Sequence, residues 1–509
     1  MEWLIVFIRF CQLKFNKMRA TNHFLKEHNI GLQIMLVAIA VVFLCFNIAR
    51  PLVDYDEATY AKVVVDTLRS GDLWTFTLSG HGWFEKPPMY FWLAMGSIKL
   101  FGVHEFAFRL PSIIASIFCL WLVFLIIKEL TQDPVAPIVA FLVLLFSPPF
   151  FVFLSEMRMD SGVILGILAA LLFFLKGWPK NKFLFWVFPA IAFGFMFKSV
   201  IVFLIFPIVL IYSFFYKQWV WLSSKYLWRG FLLSAILLAP WHVAQTLRFG
   251  WSFWNDYFVY QVFHRSVSTL TGTNNYYDYI RILWLYYSPW LWLLMMLLVL
   301  FLGLALSKKW RSKIPWRQLA APSLTALLIL ASFTLLKTHL STYILPAFPF
   351  LAMFIALSFC YFSSVLRRYA HLLFFAILIL VVVGVFQSFA AISIVTQPYV
   401  GEEKEIGGIY KSNVIDQKIP LYSLDWPSLE TLSYYGDTSL EYLNPIAVSG
   451  KELKAPFYLT TNVLAATYFL NNQGIPVGMY DHLRVLYVGR FLVLIYSDKD
   501  LQMPVFSHQ

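Results

Sequence analysis

Apolar segments of about twenty residues recur from residue 31 to residue 396, and they constrain the fold more than any other feature of the sequence. A helix needs about 20 mostly apolar residues to cross the hydrocarbon core of a bilayer. On that criterion the sequence predicts about 11 spanning helices, and up to 13 if short or proline-containing runs are divided differently. The 11 predicted spans are 31–49, 109–130, 135–154, 160–176, 183–197, 199–216, 228–249, 283–306, 318–337, 341–363 and 369–396. The predicted fold class is therefore an α-helical polytopic membrane protein.

The composition agrees with this prediction and excludes several other classes. Hydrophobic residues make up 60% of the chain and charged residues 13%, about half the usual share in a soluble protein. A soluble enzyme, a disordered chain, a coiled coil and a nucleic-acid-binding domain are excluded. The four cysteines lie in or near apolar stretches without metal-ligand spacing, so we expect neither a disulfide nor a zinc ribbon.

The basic residues predict the orientation in the membrane. With residue 1 in the cytoplasm and the spans alternating, the cytoplasmic segments contain 19 Lys and Arg against four acids. The loop 307–317 is the most basic of these segments. Because short cytoplasmic loops carry an excess of Lys and Arg, the net charge of +12 reports topology and not nucleic-acid binding.

Three segments then lie on the external face: 50–108, about 250–282, and the tail 397–509. The tail lacks long apolar runs and contains short β-rich pieces, of which 485–496 reads as two strands joined at 488–490. About 110 residues suffice for one small domain. We predict a transmembrane domain over 1–396, with the first external loop 50–108, and a small α/β domain over 397–509.

The first external loop opens with three carboxylates within four residues, Asp54, Asp56 and Glu57. Like charges this close repel, and such clusters commonly hold a metal, pair with cations or supply a base. An N-cap for a helix over 57–68 is the structural alternative, and it would account for one acid but not for three.

Glu85 and Lys86 precede Pro87-Pro88, which can begin a helix, and residues 89–108 suit an interfacial helix. A lysine in such a rigid turn can bind a phosphate as a point charge. An ordinary interfacial salt bridge is the alternative.

Further charged and polar candidates occur in turns assigned to the same face: Glu156, Arg158, Asp160, Lys198, Gln261, His264, Arg265, Lys337 and Tyr343. Each alone could be an interfacial anchor. Ionisable residues at membrane depth are nevertheless candidates for function, and here separate turns bring acids and cations to one side.

Carboxylates and several cations at the outer interface suit a lipid-linked phosphate as substrate. The cations would hold the phosphate and stabilise it as a leaving group, while a carboxylate removes a proton from the acceptor. Glycosyl transfer from a polyprenyl-phosphate sugar fits this set. The sequence contains neither a P-loop nor a dinucleotide fingerprint.

The motifs Asp56-Glu57, Phe84-Glu-Lys-Pro-Pro88 and Arg109-Leu-Pro, together with the Lys198 site and Lys337…Pro346, resemble the bacterial branch of the protein O-mannosyltransferase superfamily. That branch belongs to the GT-C class and includes the undecaprenyl phosphate-aminoarabinose transferase of lipid A. The resemblance covers roughly residues 35–350. It implies inverting transfer from a polyprenyl-phosphate sugar in the periplasm of a bacterium.

The resemblance also implies roles for single residues. Asp56, in the Asp-Glu motif with Glu57, looks like the catalytic base. The carboxylates Glu85 and Asp160 match acidic positions around the acceptor or a metal. The donor-phosphate positions are Lys86, Lys198, Arg265 and Lys337, and the additional candidates are Gln261, His264 and Tyr343.

The chain departs from the aminoarabinose transferases at three places. Thr59 stands where they have Arg, Ser199 replaces a Gly, and Gln261 stands where they have a metal-contacting His. No cofactor is certain on this basis, and a divalent metal ion held by Glu85 and Asp160 is an open alternative.

The leading hypothesis is a glycosyltransferase that modifies lipid A or another envelope glycan from a polyprenyl-phosphate donor. The alternatives are a protein O-glycosyltransferase (O-mannosyltransferase) with the same donor and a transporter or flippase for a lipid-linked sugar. The absence of an internal repeat and the one-sided acids argue against transport. We expect a bacterial inner membrane protein with a cytoplasmic N-terminus, a periplasmic active site and no nucleic-acid partner.

Overall fold

The computed structural model of the protein describes residues 29–46, 48–52, 56–268, 277–306, 312–365, 370–395, 400–413, 419–424, 429–438, 440–443, 452–462, 483–488, 490–498 and 501–502. Helices dominate the described part up to residue 395. They are α1 (Asn29–Leu44), α2 (Asp56–Ser70), α3 (Met89–Phe101), α4 (Glu105–Leu130), α5 (Ala136–Leu145), α6 (Pro148–Leu154), α7 (Asp160–Gly177), α8 (Val187–Lys198), α9 (Ile205–Tyr216), α10 (Lys225–Phe249), α11 (Trp251–Trp254), α12 (Arg265–Val267), α13 (Asp278–Tyr286), α14 (Ser288–Leu306), α15 (Trp316–Thr334), α16 (Phe348–Val365) and α17 (Ala370–Val395).

Five helical stretches of the described part are long and apolar enough to cross a membrane, by length and composition: Glu105–Leu130, Asp160–Gly177, Asn181–Tyr216, Lys225–Phe249 and Ser341–Val365. Two bent pairs, α5 with α6 and α13 with α14, raise this number to as many as seven if each pair is one span. Shorter apolar helices occupy Ile30–Leu44, Met89–Phe101 and Phe375–Ala391. The described part is therefore that of a mostly helical protein with several potential membrane spans.

Identifiable breaks interrupt these apolar stretches. Pro148 and Pro149 begin α6, and the axes of α5 and α6 differ by 61°. Proline removes a backbone donor and is tolerated in the first helical turn, which explains why one helix stops and another starts there. In Asn181–Tyr216, α8 ends at Lys198 and Ser199 has a φ of 56°, followed by a 3₁₀ turn over Ser199–Leu204. The two predicted spans 183–197 and 199–216 meet at this break.

Glycines allow α7 and α8 to pack with their backbones close together. A Cβ on Gly162 would lie 2.1 Å from the ring of Phe197, and a Cβ on Gly166 would lie 2.7 Å from the Cα of Gly194. Small residues permit this approach between apolar helices, where dispersion contacts replace a hydrophobic driving force. The two helices therefore bring the residues at their ends into contact.

The chain divides into two compact units. The first unit comprises Met1–Ile48, Phe84–Leu93 and Arg109–Ile392, and the second comprises Ala49–Trp83, Ala94–Phe108 and Ser393–Gln509. Most of the first external loop thus belongs to the same unit as the tail.

The second unit contains a five-stranded sheet with the strand order β4-β3-β6-β8-β7. Its strands are β3 (Leu421–Leu424), β4 (Leu440–Leu443), β6 (Phe457–Asn462), β7 (Leu483–Val488) and β8 (Leu492–Ser497). β3 is parallel to β4 and β6, whereas β8 is antiparallel to β6 and β7. The short strands β1 (Thr77–Leu78) and β2 (His81–Gly82) form one further pair, and β5 (Glu452–Leu453) and β9 (Leu501–Gln502) form another.

Two helices of the tail, α18 (Val400–Asn413) and α19 (Leu429–Gly436), accompany this sheet. Ile406 and Tyr410 of α18 and Leu432 of α19 form a buried cluster with Leu421 and Leu494 of the strands. The apolar residues that alternate along the tail sequence therefore form a core of their own.

Candidate active site

The acidic motif after the first apolar segment begins a helix of the second unit. Asp56 and Glu57 occupy the first turn of α2, where the helix dipole favours negative charge. Asp56 is half-buried and its Oδ1 accepts a hydrogen bond of 3.3 Å from the hydroxyl of Tyr60, while Glu57 is buried. The remaining acid of the predicted cluster, Asp54, lies outside the described residues.

In the first unit, Lys86 is buried in the turn that precedes α3. Its Nζ lies 3.4 Å from Oε2 of Glu85 and donates to Oε1 of Gln261 at 3.2 Å. Pro87 and Pro88 follow, and the amide of Trp92 donates to the carbonyl of Pro88. The proline pair stiffens the turn, so the ammonium group is held in place by backbone geometry as well as by its partners.

The ring of Phe84 fixes the other side of this turn. Its centroid lies 4.8 Å from that of Phe249 and 5.9 Å from that of Phe253. These aromatic contacts join the turn to the end of α10 and to α11, which leads directly into the segment that carries Gln261.

A second lysine site lies where α7 and α8 meet. Nζ of Lys198, in the last turn of α8, donates to Oδ1 of Asp160 at 2.7 Å, and Asp160 lies in the first turn of α7. Each charge therefore has the sign that its own helix end favours. The ammonium group also lies 5.7 Å from the centroid of the Tyr343 ring, within cation–π range.

The segment that links the two lysine sites has an unusual geometry. Asn255–His264 is a π-helix, a form that is rare and occurs frequently at functional sites. It carries Gln261 and continues into Arg265, whose neighbour Ser266 accepts a hydrogen bond at its carbonyl from the amide of Lys337 at 3.0 Å. The stretch after Lys337 leads to Tyr343, so one backbone hydrogen bond joins the segment whose Gln261 contacts Lys86 to the segment whose Tyr343 contacts Lys198.

The structure brings together two groups of the predicted site residues. Glu85, Lys86 and Gln261 form one group, and Asp160, Lys198 and Tyr343 form the other. Asp56 and Glu57 belong to the second unit.

Three further predicted site residues, Arg265, Lys337 and His264, differ in burial and in hydrogen bonding. Arg265 is half-buried, and within the described ranges its Nε is buried without a hydrogen-bond partner. Lys337 is exposed. His264 is also exposed, with its ring stacked on Tyr260 and its Nδ1 2.9 Å from the hydroxyl of Ser268. The interactions of His264 are thus local.

One ion pair joins two of the charged candidates, Glu156 and Arg158, to which the family resemblance assigned no role. Nε of Arg158 donates to Oε2 of the buried Glu156 at 2.7 Å, and the hydroxyl of Ser112 donates to the carbonyl of Arg158. The Tyr90 and Ser112 hydroxyls are 2.8 Å apart, which ties this turn to α3. The charges of 156–160 were visible in the sequence, whereas the roles of Tyr90 and Ser112 had no sequence signal.

The acidic residues fit a metal ion poorly. Asp160 already accepts from one ammonium group and Glu85 lies beside another, and each cation disfavours a second positive charge on the same carboxylate. Across the described ranges, no three His, Cys, Asp or Glu side chains converge to hold a metal ion. We therefore derive no chemical step through a metal.

Comparisons with known proteins find similar chains among enzymes that are named as sugar transferases. Residues 85–243 match the family described as dolichyl-phosphate-mannose-protein mannosyltransferase. An undecaprenyl phosphate-alpha-4-amino-4-deoxy-L-arabinose arabinosyl transferase of Edwardsiella ictaluri is 28% identical over 330 residues, which are 62% of this chain and 58% of that protein. An uncharacterised protein of Aquifex aeolicus is 25% identical over 69% of this chain and 78% of its own length. The chain thus spans little more than half the length of the arabinosyl transferase.

Solved structures share the fold over most of the chain. ArnT from Cupriavidus metallidurans bound to undecaprenyl phosphate superposes with a TM-score of 0.69 at 16% identity, covering 92% of this chain and 98% of that one. The oligosaccharyltransferase of Archaeoglobus fulgidus gives a TM-score of 0.56 at 12% identity, covering 86% of this chain and 70% of that one.

The chain therefore shares the fold of ArnT, and its described helices are those of a multi-pass membrane protein. Over part of its length the chain is similar to the protein mannosyltransferases and to the aminoarabinose transferases, the proteins that its sequence motifs resemble.

Proposed function

We propose that this protein transfers a sugar from a polyprenyl-phosphate donor to lipid A or another envelope glycan on the periplasmic face of a bacterial inner membrane. The observation that most strongly supports this proposal is the pair of linked lysine sites in the first unit. Contacts between separate turns hold Lys86 and Lys198 there. The similarity to proteins named as undecaprenyl phosphate-sugar transferases supports the donor class.

The chemistry needs one base and one group of cations. The carboxylate of Asp56 takes the proton of an acceptor hydroxyl as its oxygen attacks the anomeric carbon. The bond from that carbon to the phosphate oxygen breaks, and its electron pair stays on the departing polyprenyl phosphate. Attack from the face opposite the leaving group inverts the anomeric configuration.

The cations stabilise the charge that develops on the leaving phosphate. Lys86 and Lys198 are the principal candidates, with Arg265 and Lys337 nearby along the connecting segment. Removal of one preorganised electrostatic group from such a site costs on the order of 10²–10³ in rate. Glu57, which is buried, follows Asp56 in the first turn of α2. Glu85 orients Lys86, and Asp160 orients Lys198.

The proposed topology follows from the basic loops. The N-terminus is cytoplasmic, and the turns with the site residues and the tail are periplasmic. We assign the transferase machinery to residues 1–396, with the loop 50–108 supplying Asp56, and a small α/β periplasmic domain to 397–509.

Protein O-mannosyl transfer from the same donor is the second candidate, because the family matched over 85–243 is described as a protein mannosyltransferase. The two candidates share donor and base and differ in the acceptor. Mass spectrometry of lipid A, envelope glycans and envelope proteins from cells with and without the gene distinguishes them, since the sugar would be missing from one class.

The base is tested with purified protein in lipid nanodiscs. We expect Asp56→Asn to abolish sugar transfer while the protein stays folded and inserted. Asp256→Asn makes the same chemical change at an exposed position outside α2 and should retain transfer. Full activity of Asp56→Asn would refute the proposed base, and a cytoplasmic readout from a reporter fused after Gln509 would refute the topology.

A further inference from the structure

We propose that the turn Tyr435–Asp437 is a positioning clamp for α2, and that it sets the position of Asp56 from both ends of that helix. This inference rests on the proposed function for the role of Asp56. The contacts all lie within the second unit, and they join tail residues to a segment more than 360 positions earlier in the chain.

The first contact holds the chain just before α2. The buried amide of Leu52 donates to the hydroxyl of Tyr435 at 3.0 Å, four residues before Asp56. The same hydroxyl donates to Oε1 of Glu105 at 3.0 Å, which fixes its orientation. A buried amide without an acceptor is costly, so the hydroxyl determines where this backbone lies.

Glu105 and Lys404 stabilise the tyrosine in this position. Nζ of Lys404 donates to Oε1 of Glu105 at 2.5 Å and lies 5.4 Å from the centroid of the Tyr435 ring. The Glu105 carboxylate thus accepts hydrogen bonds from both Lys404 and Tyr435. Lys404 also makes a cation–π contact with the Tyr435 ring, so both the ring and the hydroxyl of Tyr435 have a partner.

The second contact holds the other end of α2. Nη1 and Nη2 of Arg69, in the last turn of α2, donate to the two carboxylate oxygens of Asp437 at 2.5 and 2.8 Å. A bidentate pair fixes the orientation of both groups. The hydrogen bonds from Arg69 lower the pKa of Asp437 below its ordinary value, so the carboxylate remains charged at neutral pH.

The backbone of the clamp is itself constrained. Asp437 has a φ of 52°, in the left-handed region that few non-glycine residues adopt. A Cβ on Gly407 of α18 would lie 2.6 Å from the Cβ of Tyr435 and 2.7 Å from the amide nitrogen of Gly436. Close packing against α18 therefore leaves the turn little freedom, as a positioning element requires.

An open cleft of about 380 Å³ adjoins the clamp, lined by Lys62, Asp66, Arg69, Glu105, Lys404, Tyr435 and Asp437 among others. Its carboxylates are paired with cations across the cleft, as in Lys404–Glu105 and Lys411–Asp437. Among the ion pairs at the cleft, Arg69–Asp437 joins α2 to the tail.

The test compares Tyr435→Phe with Tyr434→Phe in the full-length protein in nanodiscs. Tyr435→Phe removes the acceptor of the Leu52 amide, whereas the ring of Tyr434 packs against Phe108 and, within the described residues, its hydroxyl makes no hydrogen bond to the clamp. We expect kcat of Tyr435→Phe to fall about 10- to 100-fold with the donor KM within about twofold, because a misplacement of about 1 Å can cost 10²-fold. Tyr434→Phe should match the wild type.

Hydrogen exchange measured by mass spectrometry gives a readout that does not depend on catalysis. Peptides covering 49–70 should exchange faster in Tyr435→Phe and in Asp437→Asn than in the wild type or Tyr434→Phe. Asp437→Asn serves as a second variant if the phenylalanine change unfolds the second unit. Unchanged exchange and unchanged kcat in both clamp variants would overturn the proposal. A wild type without sugar transfer would refute the proposed function alone, because the exchange data would still test the clamp.

Discussion

The two lysine sites of the first unit differ in how close and how exposed the neighbouring carboxylate is. Lys198 lies 2.7 Å from Asp160, and the two side chains are 17% and 8% exposed. Lys86 is 3.4 Å from Glu85, whose side chain is 42% exposed, and it is 3.2 Å from the neutral amide of Gln261. The attraction between two charges falls with distance and with access of water. Of the two ion pairs, Asp160–Lys198 is therefore the shorter and more buried, and Glu85–Lys86 is the longer and more exposed.

This difference has a structural origin. Asp160 and Lys198 come from two helices that pack backbone to backbone, and both charges lie at helix ends of favourable sign. Glu85 and Lys86 are consecutive in a turn, and Gln261 comes from the π-helix. The comparison predicts that Lys86 affects catalysis more than stability and that the Asp160–Lys198 pair affects stability strongly.

The largest effect is expected for Lys86→Gln. Loss of the Lys86 ammonium group, whose ion pair with Glu85 is the longer of the two, should lower kcat/KM for sugar transfer about 100-fold, equivalent to about 2.7 kcal/mol, with little change in the free energy of unfolding. Lys99→Gln, at an exposed position of α3, is the matched control and should retain activity. An unfolding midpoint that drops as far as the activity would contradict the comparison.

Asp160→Asn should have the next largest effect, this time on stability. It leaves the ammonium group of Lys198 without its carboxylate, and we expect a loss of about 2 kcal/mol in the free energy of unfolding in detergent. The double variant Asp160→Asn with Lys198→Met removes both charges and should recover more than half of that loss. Equal losses in the single and double variants would show that the pair is not coupled.

Gln261→Glu should give Lys86 a close carboxylate partner, as Asp160 is for Lys198. A carboxylate in place of the amide would pair with Lys86, and we expect the donor KM to rise about tenfold, or about 1.4 kcal/mol. Gln261→Met has a similar size without a charge and should change KM far less. A donor KM that stays constant in Gln261→Glu would mean that Lys86 does not meet the donor.

The smallest effect is expected for Tyr343→Leu. Loss of the aromatic face near Lys198 should lower the free energy of unfolding by about 1 kcal/mol, while Tyr343→Phe keeps the ring and should preserve it. Thermal unfolding of the three proteins in the same detergent measures both values. A loss in Tyr343→Phe as large as that in Tyr343→Leu would assign the effect to the hydroxyl and not to the ring.

Local elements of this fold could be predicted from the sequence. The helix expected over 57–68 is observed as Asp56–Ser70, because its apolar residues follow helical spacing after two acids. The strands expected on either side of 488–490 are observed as an antiparallel pair, Leu483–Val488 and Leu492–Ser497. The residue types around Lys86 and Lys198 were likewise sufficient to select both as candidates.

Contacts between distant residues could not be predicted in the same way. Lys198 meets a carboxylate 38 positions earlier because of glycines in α7 and α8, and sequence shows the glycines but not which helices they join. The shift to π-helical hydrogen bonding over Asn255–His264 has no sequence signature. The contact of Tyr435 with Leu52 spans 383 positions and depends on the complete packing of the second unit.

The glycine-mediated packing of α7 against α8 has a consequence for bilayers of different thickness. A single helix responds to hydrophobic mismatch by changing its tilt. At Gly166 an added Cβ would lie 2.7 Å from the Cα of Gly194, so α7 and α8 pack closely there and we expect them to tilt together. We therefore expect the Asp160–Lys198 ion pair to persist in thin and in thick membranes.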